Sequence, residues 1–305
     1  MSDDGKIDAT RAVPSADGRD LTFVRQGTEE RIASFVTRAR ATIPTLAAKL
    51  PADLEGVDAL ASAGWLSREE YQGPLRDDAF ALLGRRHFIQ DLSSGTTGEP
   101  VLRFNTWSDE LSEQLITRRF FSQVGLGPAD RVVCLEIGAP EISAFYFRAM
   151  SELGVRDRSF LHVSTDFLGS VEPLEAIDPT VILTVPGILA RSAPRFFEMY
   201  DGKRPRALRK IMTYAEPLGE GLRARLADIG IECFSFYGTT EIGGLAGECR
   251  QHAGLHVNDD WILPTLRDVE ERGDGVYAGE IGWTAMHFEV QPTIKYAVGD
   301  RVEID

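Results

Sequence analysis

Cysteine is scarce in this chain. Cys134, Cys233 and Cys249 are the three thiols of 305 residues, an odd and scattered set that excludes a disulfide-stapled scaffold and suits a reducing, cytoplasmic setting. Long apolar runs are missing too. The best candidate, Thr180 to Ala190, is broken by Pro186 and falls short of the ~20 residues that cross a bilayer. Basic charge is in deficit: 33 Lys and Arg face 47 Asp and Glu, for a net charge of −14. No basic field is therefore available to draw in a nucleic acid or an anionic membrane. A nucleotide stays admissible, because it needs only local donors and a cation. Neither a Gly-Lys-Ser/Thr Walker segment nor a kinase-type Lys/Asp set occurs. His87, His162 and His287 show no pairing with a Ser or Cys nucleophile that would suggest a triad. Internal repeats and low-complexity linkers are absent as well.

What is present is the composition of a globular protein, 43% apolar and 26% charged, long enough for ample core. Residues 1–20 are acidic and polar, unlike a signal or transit peptide, and are expected to be a flexible tail. Ile32, Phe35, Val36 and Ala39 recur at helical spacing until Pro44. Ser67-Arg68-Glu69-Glu70 reads as a capping box. Ser108 is expected to cap a helix whose apolar face is Leu111, Leu115, Ile116, Phe120 and Val124. Apolar strands are expected at Arg131–Ile137, Thr180–Val185, Leu208–Tyr214 and Glu232–Phe236, with helices between them. Strands buried on both faces and separated by helices imply parallel β-structure flanked by helices. From Val276 onward, β-branched and aromatic residues with Gly279, Gly282 and Gly299 predict a smaller β element. The expected fold is α/β, in layered parallel sheets flanked by helices, with a core over 21–270 and a β-rich end over 271–305.

The chemistry concentrates in short segments. Ser93-Ser94-Gly95-Thr96-Thr97-Gly98 follows an expected strand ending at Leu92 and sets four hydroxyls beside two glycines. Such a segment can aim backbone N–H groups and hydroxyls at phosphate oxygens, although a Ser/Thr/Gly cluster by itself is usually a turn. Three further segments are suspicious by position. Ala215-Glu216-Pro217-Leu218 follows one strand, Tyr237-Gly238-Thr239-Thr240-Glu241 follows the next, and Tyr296-Ala297-Val298-Gly299-Asp300 lies near the end. Ligands of open α/β sheets bind beyond the carboxyl ends of strands. Singly, each segment has a plain alternative: a helix start, a tight turn, a hairpin.

In this order and at this spacing the four segments resemble the adenylate-forming superfamily of acyl-CoA synthetases, adenylation domains and luciferases. The likeness is nearest to its phenylacetate–CoA ligase branch, and it extends to Leu66–Glu70 and to Cys249–Trp261. The resemblance implies an enzyme that uses ATP and Mg²⁺ to activate a carboxylic acid as its acyl-adenylate. It implies that Ser93, Ser94, Gly95, Thr96, Thr97 and Gly98 hold the β- and γ-phosphates. Thr240 would donate to the α-phosphate and Glu241 would ligate Mg²⁺. Tyr237 would stack on the adenine, with Gly238 and Thr239 beside it, and Ala215, Glu216 and Pro217 would line the adenine slot mainly through backbone. Asp300 would accept from both ribose hydroxyls. The acid would lie near Gly138, Phe145, Ile242 and Gly243, and the run Phe145-Tyr146-Phe147 suggests an aromatic or otherwise flat acid, unless it is core.

The likeness also sets expectations where the sequence departs from it. Family members continue past the Gly-Asp motif into a domain carrying a catalytic lysine, whereas this sequence stops at Asp305. That lysine-bearing domain is expected to be absent, with Lys295 as a candidate substitute charge against the plain reading of an exposed strand lysine. Cys249, His252 and His256 have zinc-ligand chemistry but no fourth Cys or His near them. The partners implied are a small carboxylic acid and, as acyl acceptor, coenzyme A or a carrier protein; an oligomer is compatible with the sequence. The alternative is a nucleotide-binding subunit that needs a partner chain to catalyse.

Overall fold

The computed structural model describes residues 10–74, 89–92, 100–136, 140–162, 172–199 and 206–305. Its elements run β1 (Thr10–Pro14), β2 (Asp20–Arg25), α1 (Glu29–Thr42), α2 (Pro44–Ala47), α3 (Gly56–Ala61), α4 (68–74), β3 (Ile89–Leu92) and β4 (Leu102–Asn105). They continue with α5 (Trp107–Gln123), β5 (Arg131–Glu136), α6 (Pro140–Glu152), β6 (Asp157–His162), α7 (Glu172–Ile177), β7 (Val181–Thr184), α8 (Pro186–Met199) and β8 (Lys210–Thr213). The last are α9 (Glu220–Asp228), β9 (Glu232–Thr239), β10 (Gly243–Glu248), β11 (Leu255–Val257), β12 (Ile262–Gly273), β13 (Val276–Ala285) and β14 (Thr293–Ile304). Among these residues, those up to Glu110 with Thr240–Ile242 and Asn258–Asp305 form one compact unit. Leu111–Thr239 and Gly243–Val257 form the other.

The second unit holds the parallel layer. Its seven-stranded sheet has the order β11-β10-β9-β8-β7-β5-β6, with β6, β5, β7, β8 and β9 parallel and β10 and β11 added antiparallel. Alternate residues of each strand go to opposite faces. Val133, Leu135, Ile182, Ile211 and Cys233 pack with Ile188 and Leu189 of α8 and Leu226 of α9. Val132, Cys134, Val181, Leu183, Met212 and Phe234 pack with Phe121 of α5 and with Ala149 and Met150 of α6. Both faces are thus covered, which is why these strands read as continuous apolar runs. Strand β6 returns to one side of β5 and β7 to the other, so the order switches beyond the carboxyl end of β5, the place where such sheets bind ligands.

The first unit is built on an antiparallel sheet, β1-β2-β12-β13-β14, with α1 and α3 among its helices and a separate antiparallel pair, β3-β4. The expected tail over 1–20 is corrected for its described part, residues 10–20: Thr10–Pro14 pairs with β2, Val13 is buried, and β2 pairs on with β12. The capping box is reciprocal, with the Glu70 amide donating to Ser67 Oγ (3.2 Å) and the Ser67 amide to Glu70 Oε2 (2.9 Å). The cap of α5 is Thr106 rather than Ser108. The Asp109 amide donates to Thr106 Oγ1 at 3.2 Å, and the Thr106 amide to Asp109 Oδ2 at 2.9 Å. Leu111 and Leu115 of this helix are exposed, while Asp109, Glu110 and Glu113 are buried along with Ile116, Phe120 and Val124.

Candidate functional site

In the first unit the site is organised around the turn Thr240-Glu241-Ile242. Three buried side chains from separate elements hold it. Tyr296 of β14 donates its hydroxyl to Glu241 Oε1 at 2.6 Å, and Tyr71 of α4 donates to the main-chain carbonyl of Glu241 at 3.2 Å. Arg103 of β4 donates from Nη1 to the carbonyl of Thr240 at 3.2 Å. The two tyrosine rings lie 5.2 Å apart and tilted. Arg103 is fixed in turn by Asn105 Oδ1 at 3.0 Å and by the face of Phe288, 4.6 Å away. Burial, and then the Glu241 carboxylate, push the Tyr296 phenol above its ordinary range, so this hydroxyl stays protonated and donates. Glu241 is itself 9% exposed. Its Oε1 accepts from the Tyr296 hydroxyl. A carboxylate, a hard oxygen ligand, held on such a turn suits Mg²⁺.

Asp300 sits in an irregular stretch of β14. Ala297 pairs with Gly282 and Arg301 with Glu280, so four steps of β14 oppose two of β13. Val298-Gly299-Asp300 therefore bulge from the sheet, with Gly299 at φ +84°, and Asp300 is exposed. A positive φ of that size is open to glycine at no steric cost, and bulges recur where a side chain must be re-aimed.

The second unit carries the other motif residues. Tyr237, Gly238 and Thr239 end β9 and pair with β10 around a bulge at Leu245. A Cβ on Gly238 would lie 2.5 Å from the carbonyl oxygen of Gly243, so the hairpin closes only on glycine. Tyr237 and Gly243 are half-buried. Ala215 follows β8 at φ +70°, a strained conformation of the kind that clusters at functional sites. The Glu216 carboxylate accepts from the amide of Gly187 at 2.9 Å. That bond occupies an orphan donor in the first turn of α8, which leaves the backbone of Ala215–Pro217 as the part free for other work. Phe145 is half-buried on α6, edge-on to Tyr146 at 5.7 Å. Tyr146 and Phe147 pack against the core instead, Tyr146 meeting Phe121 and Tyr214. The aromatic run is thus core at Tyr146 and Phe147, with Phe145 half-buried beside them.

Several expected site residues are not placed. Ser93, Ser94, Gly95, Thr96, Thr97, Gly98 and Gly138 lie outside the described residues, although Leu92 pairs with Leu102 across the hydroxyl-rich segment. Ile242 is fully buried. The exposed-lysine reading of Lys295 is corrected: its side chain is fully buried, with Nζ 2.7 Å from Asp20 Oδ2 and 2.6 Å from the Ala61 carbonyl. Burial lowers its pKa against the pull of Asp20. It is a structural cation, committed within the first unit. His256 Nε2 lies 3.2 Å from Cys249 Sγ, but His252 stacks on Phe234 at 4.8 Å. Sequence reasoning overlooked Arg103, Tyr71 and the hydroxyl of Tyr296. The available signal was one arginine in the otherwise apolar run Val101–Phe104.

No family model matches this chain, and no curated protein matches it either. Its fold does match solved structures. A 2-hydroxyisobutyryl-CoA ligase in an open conformation with 2-HIB-AMP and CoA superposes with TM-score 0.72 at 16% identity, over 89% of this chain and 68% of that one. The same ligase in its postadenylation state gives 0.73 at 16%, over 95% and 64%. A long-chain-fatty-acid-CoA ligase from Archaeoglobus fulgidus gives 0.51 at 17%, over 71% and 49%. This chain therefore has the core fold of the adenylate-forming ligases and spans roughly two thirds of the length of the first of these relatives.

Proposed function

We propose that this chain binds ATP with Mg²⁺ and activates a carboxylic acid as its acyl-adenylate. The observation that carries the reading is the buried clamp on Thr240–Glu241. It holds one carboxylate rigidly at the position where the four-motif order wants a metal ligand. In this reaction a carboxylate oxygen of the acid attacks the α-phosphorus of ATP, and pyrophosphate leaves. Bound Mg²⁺ supplies neutralisation of the phosphate charge. The chain's own residues do the positioning: Thr240 donates to the α-phosphate, Asp300 accepts from the ribose hydroxyls, Tyr237 and the Ala215–Pro217 backbone hold the adenine, and the Ser93–Gly98 segment donates to the outer phosphates. Such catalysis rests on placement and charge more than on covalent help.

The acid is read as aromatic or otherwise substituted, on the strength of half-buried Phe145. Coenzyme A is the acceptor favoured, its thiol sulfur attacking the acyl carbonyl and releasing AMP. The fold-level likeness to a ligase solved with both an acyl-AMP and CoA supports that choice. ATP–pyrophosphate exchange by the purified chain, run against aromatic, hydroxy, amino and short aliphatic acids, tests the proposal. Acid-dependent exchange is expected. ATP binding without exchange under any acid would favour a nucleotide-binding subunit that works with a partner. Glu241→Gln should remove Mg²⁺-dependent exchange while the circular dichroism stays native.

A further inference from the structure

Most of the motif residues have an assigned partner in the proposed chemistry, but Tyr296 has none. It opens the Tyr-x-x-Gly-Asp segment, it is fully buried, and its hydroxyl reaches a carboxylate rather than a ligand. We infer that Tyr296 is the positioning residue of the metal site: by holding Oε1 of Glu241 it sets the orientation in which the carboxylate meets the cation. This inference rests on the metal role proposed above for Glu241.

The geometry supports a placement role over plain packing. A glutamate has three side-chain torsions to fix, and the terminal one is soft. Two anchors on the main chain, Tyr71 to the Glu241 carbonyl and Arg103 to the Thr240 carbonyl, fix where the side chain starts. The Tyr296 hydroxyl at 2.6 Å fixes where it ends, and a phenol-to-carboxylate bond of that length is a charge-assisted one. The tyrosine is immobile as well, because its ring is buried against Tyr71 and its main chain continues β14 opposite Trp283. Groups that orient a metal ligand in this way typically contribute about 10- to 100-fold in metal affinity. One neighbour argues against a rival assignment: Lys295, next in sequence, is held by Asp20 and Ala61 and takes no part in holding Glu241.

Tyr296→Phe removes the hydroxyl and leaves the ring. The experiment is Mn²⁺ binding to the full chain in the presence of ATP, followed by electron paramagnetic resonance, with ATP binding in excess EDTA measured separately by calorimetry. Mn²⁺ affinity of the ATP complex is expected to fall about tenfold in Tyr296→Phe, and metal-free ATP binding to stay within twofold. Tyr71→Phe, which loosens the main chain, is expected to give a smaller fall of the same kind and serves should Tyr296→Phe not fold. Glu241→Gln separates the two levels of the argument. If Glu241→Gln loses Mn²⁺ while Tyr296→Phe and Tyr71→Phe bind it like the parent, the positioning role is overturned and the metal role of Glu241 stands. If Glu241→Gln also binds Mn²⁺ like the parent, both are overturned.

Discussion

Asp20→Ala should destabilise the protein far more than its partial exposure suggests. The Asp20 carboxylate oxygen Oδ2 lies 2.7 Å from Lys295 Nζ and 2.9 Å from Trp65 Nε1, with side-chain exposures of 13% for Asp20 and 0% for Lys295. Removing it leaves a buried ammonium whose one remaining acceptor among the described residues is the Ala61 carbonyl, and takes its acceptor from the Trp65 indole N–H. Breaking a buried pair from one side costs about 3–5 kcal/mol. Urea unfolding at pH 7, followed by tryptophan fluorescence, should show that loss as a lower midpoint. The pH dependence gives a second handle. The folded pKa of Lys295 is already lowered by burial, so between it and the unfolded value the unfolded chain binds more protons, and stability rises with pH. Without Asp20 the folded pKa falls further, so the variant begins that rise at lower pH and the gap to the parent narrows on the alkaline side. A loss under ~1 kcal/mol at pH 7, or a gap that widens from pH 7 to 9.5, would refute the reasoning.

The acid side has its own titrating group. His287 is buried with both ring nitrogens unpartnered, and burial, aided by the Arg103 guanidinium, lowers its pKa from 6.5 to about 3. Its contribution is therefore full above pH 6.5 and is lost as pH falls toward 3, by up to about 5 kcal/mol. His287→Leu should flatten that limb of the stability profile, and an unchanged acid limb would exclude His287 as its source. Asp300→Ala should weaken ATP binding about tenfold by calorimetry, from the loss of charge-assisted hydrogen bonds; unchanged affinity removes Asp300 from the ribose site. Of the three thiols, Cys134 and Cys233 are buried, and burial pushes Cys233 up to about 12. Ellman's reagent should thus titrate one thiol in the native chain, and Cys249→Ser should abolish it; a fast-reacting thiol left in that variant would contradict the placement of the other two.

The parallel layer was legible because its signal is local. In β5, Val132 and Cys134 face one helix layer and Val133 and Leu135 the other, and a strand buried on both sides needs apolar residues at every position. Strands β1 and β2 were not legible. Their acidic, polar flanks read as a tail, and what orders them is pairing such as Thr22 with Thr265, far away in sequence. Helix α5 misled for a different reason: its apolar spacing at Leu111 and Leu115 is real, but the face it buries carries Glu110 and Glu113 beside Ile116 and Phe120, and that stripe points outward. In the candidate site, the motif residues were readable one by one. The clamp was not, because its three bonds join residues 170, 137 and 55 positions apart.

The bulge in β14 is also a ruler. Had the strand run straight, the four steps from Ala297 to Arg301 would have advanced the chain ~13 Å, whereas the two steps of β13 opposite them advance it ~7 Å. The slack is taken up by Val298, Gly299 and Asp300, and the acidic group is thereby kept close along the sheet to the Tyr296 end of the same strand. A count of residues, independent of any side chain, meters that spacing. Deleting two residues from the bulge would keep the inward and outward alternation of the strand and every pairing beyond it. It would still erase the excursion that carries Asp300, so the ribose-binding role proposed for Asp300 is exposed to changes in length that the fold itself would tolerate.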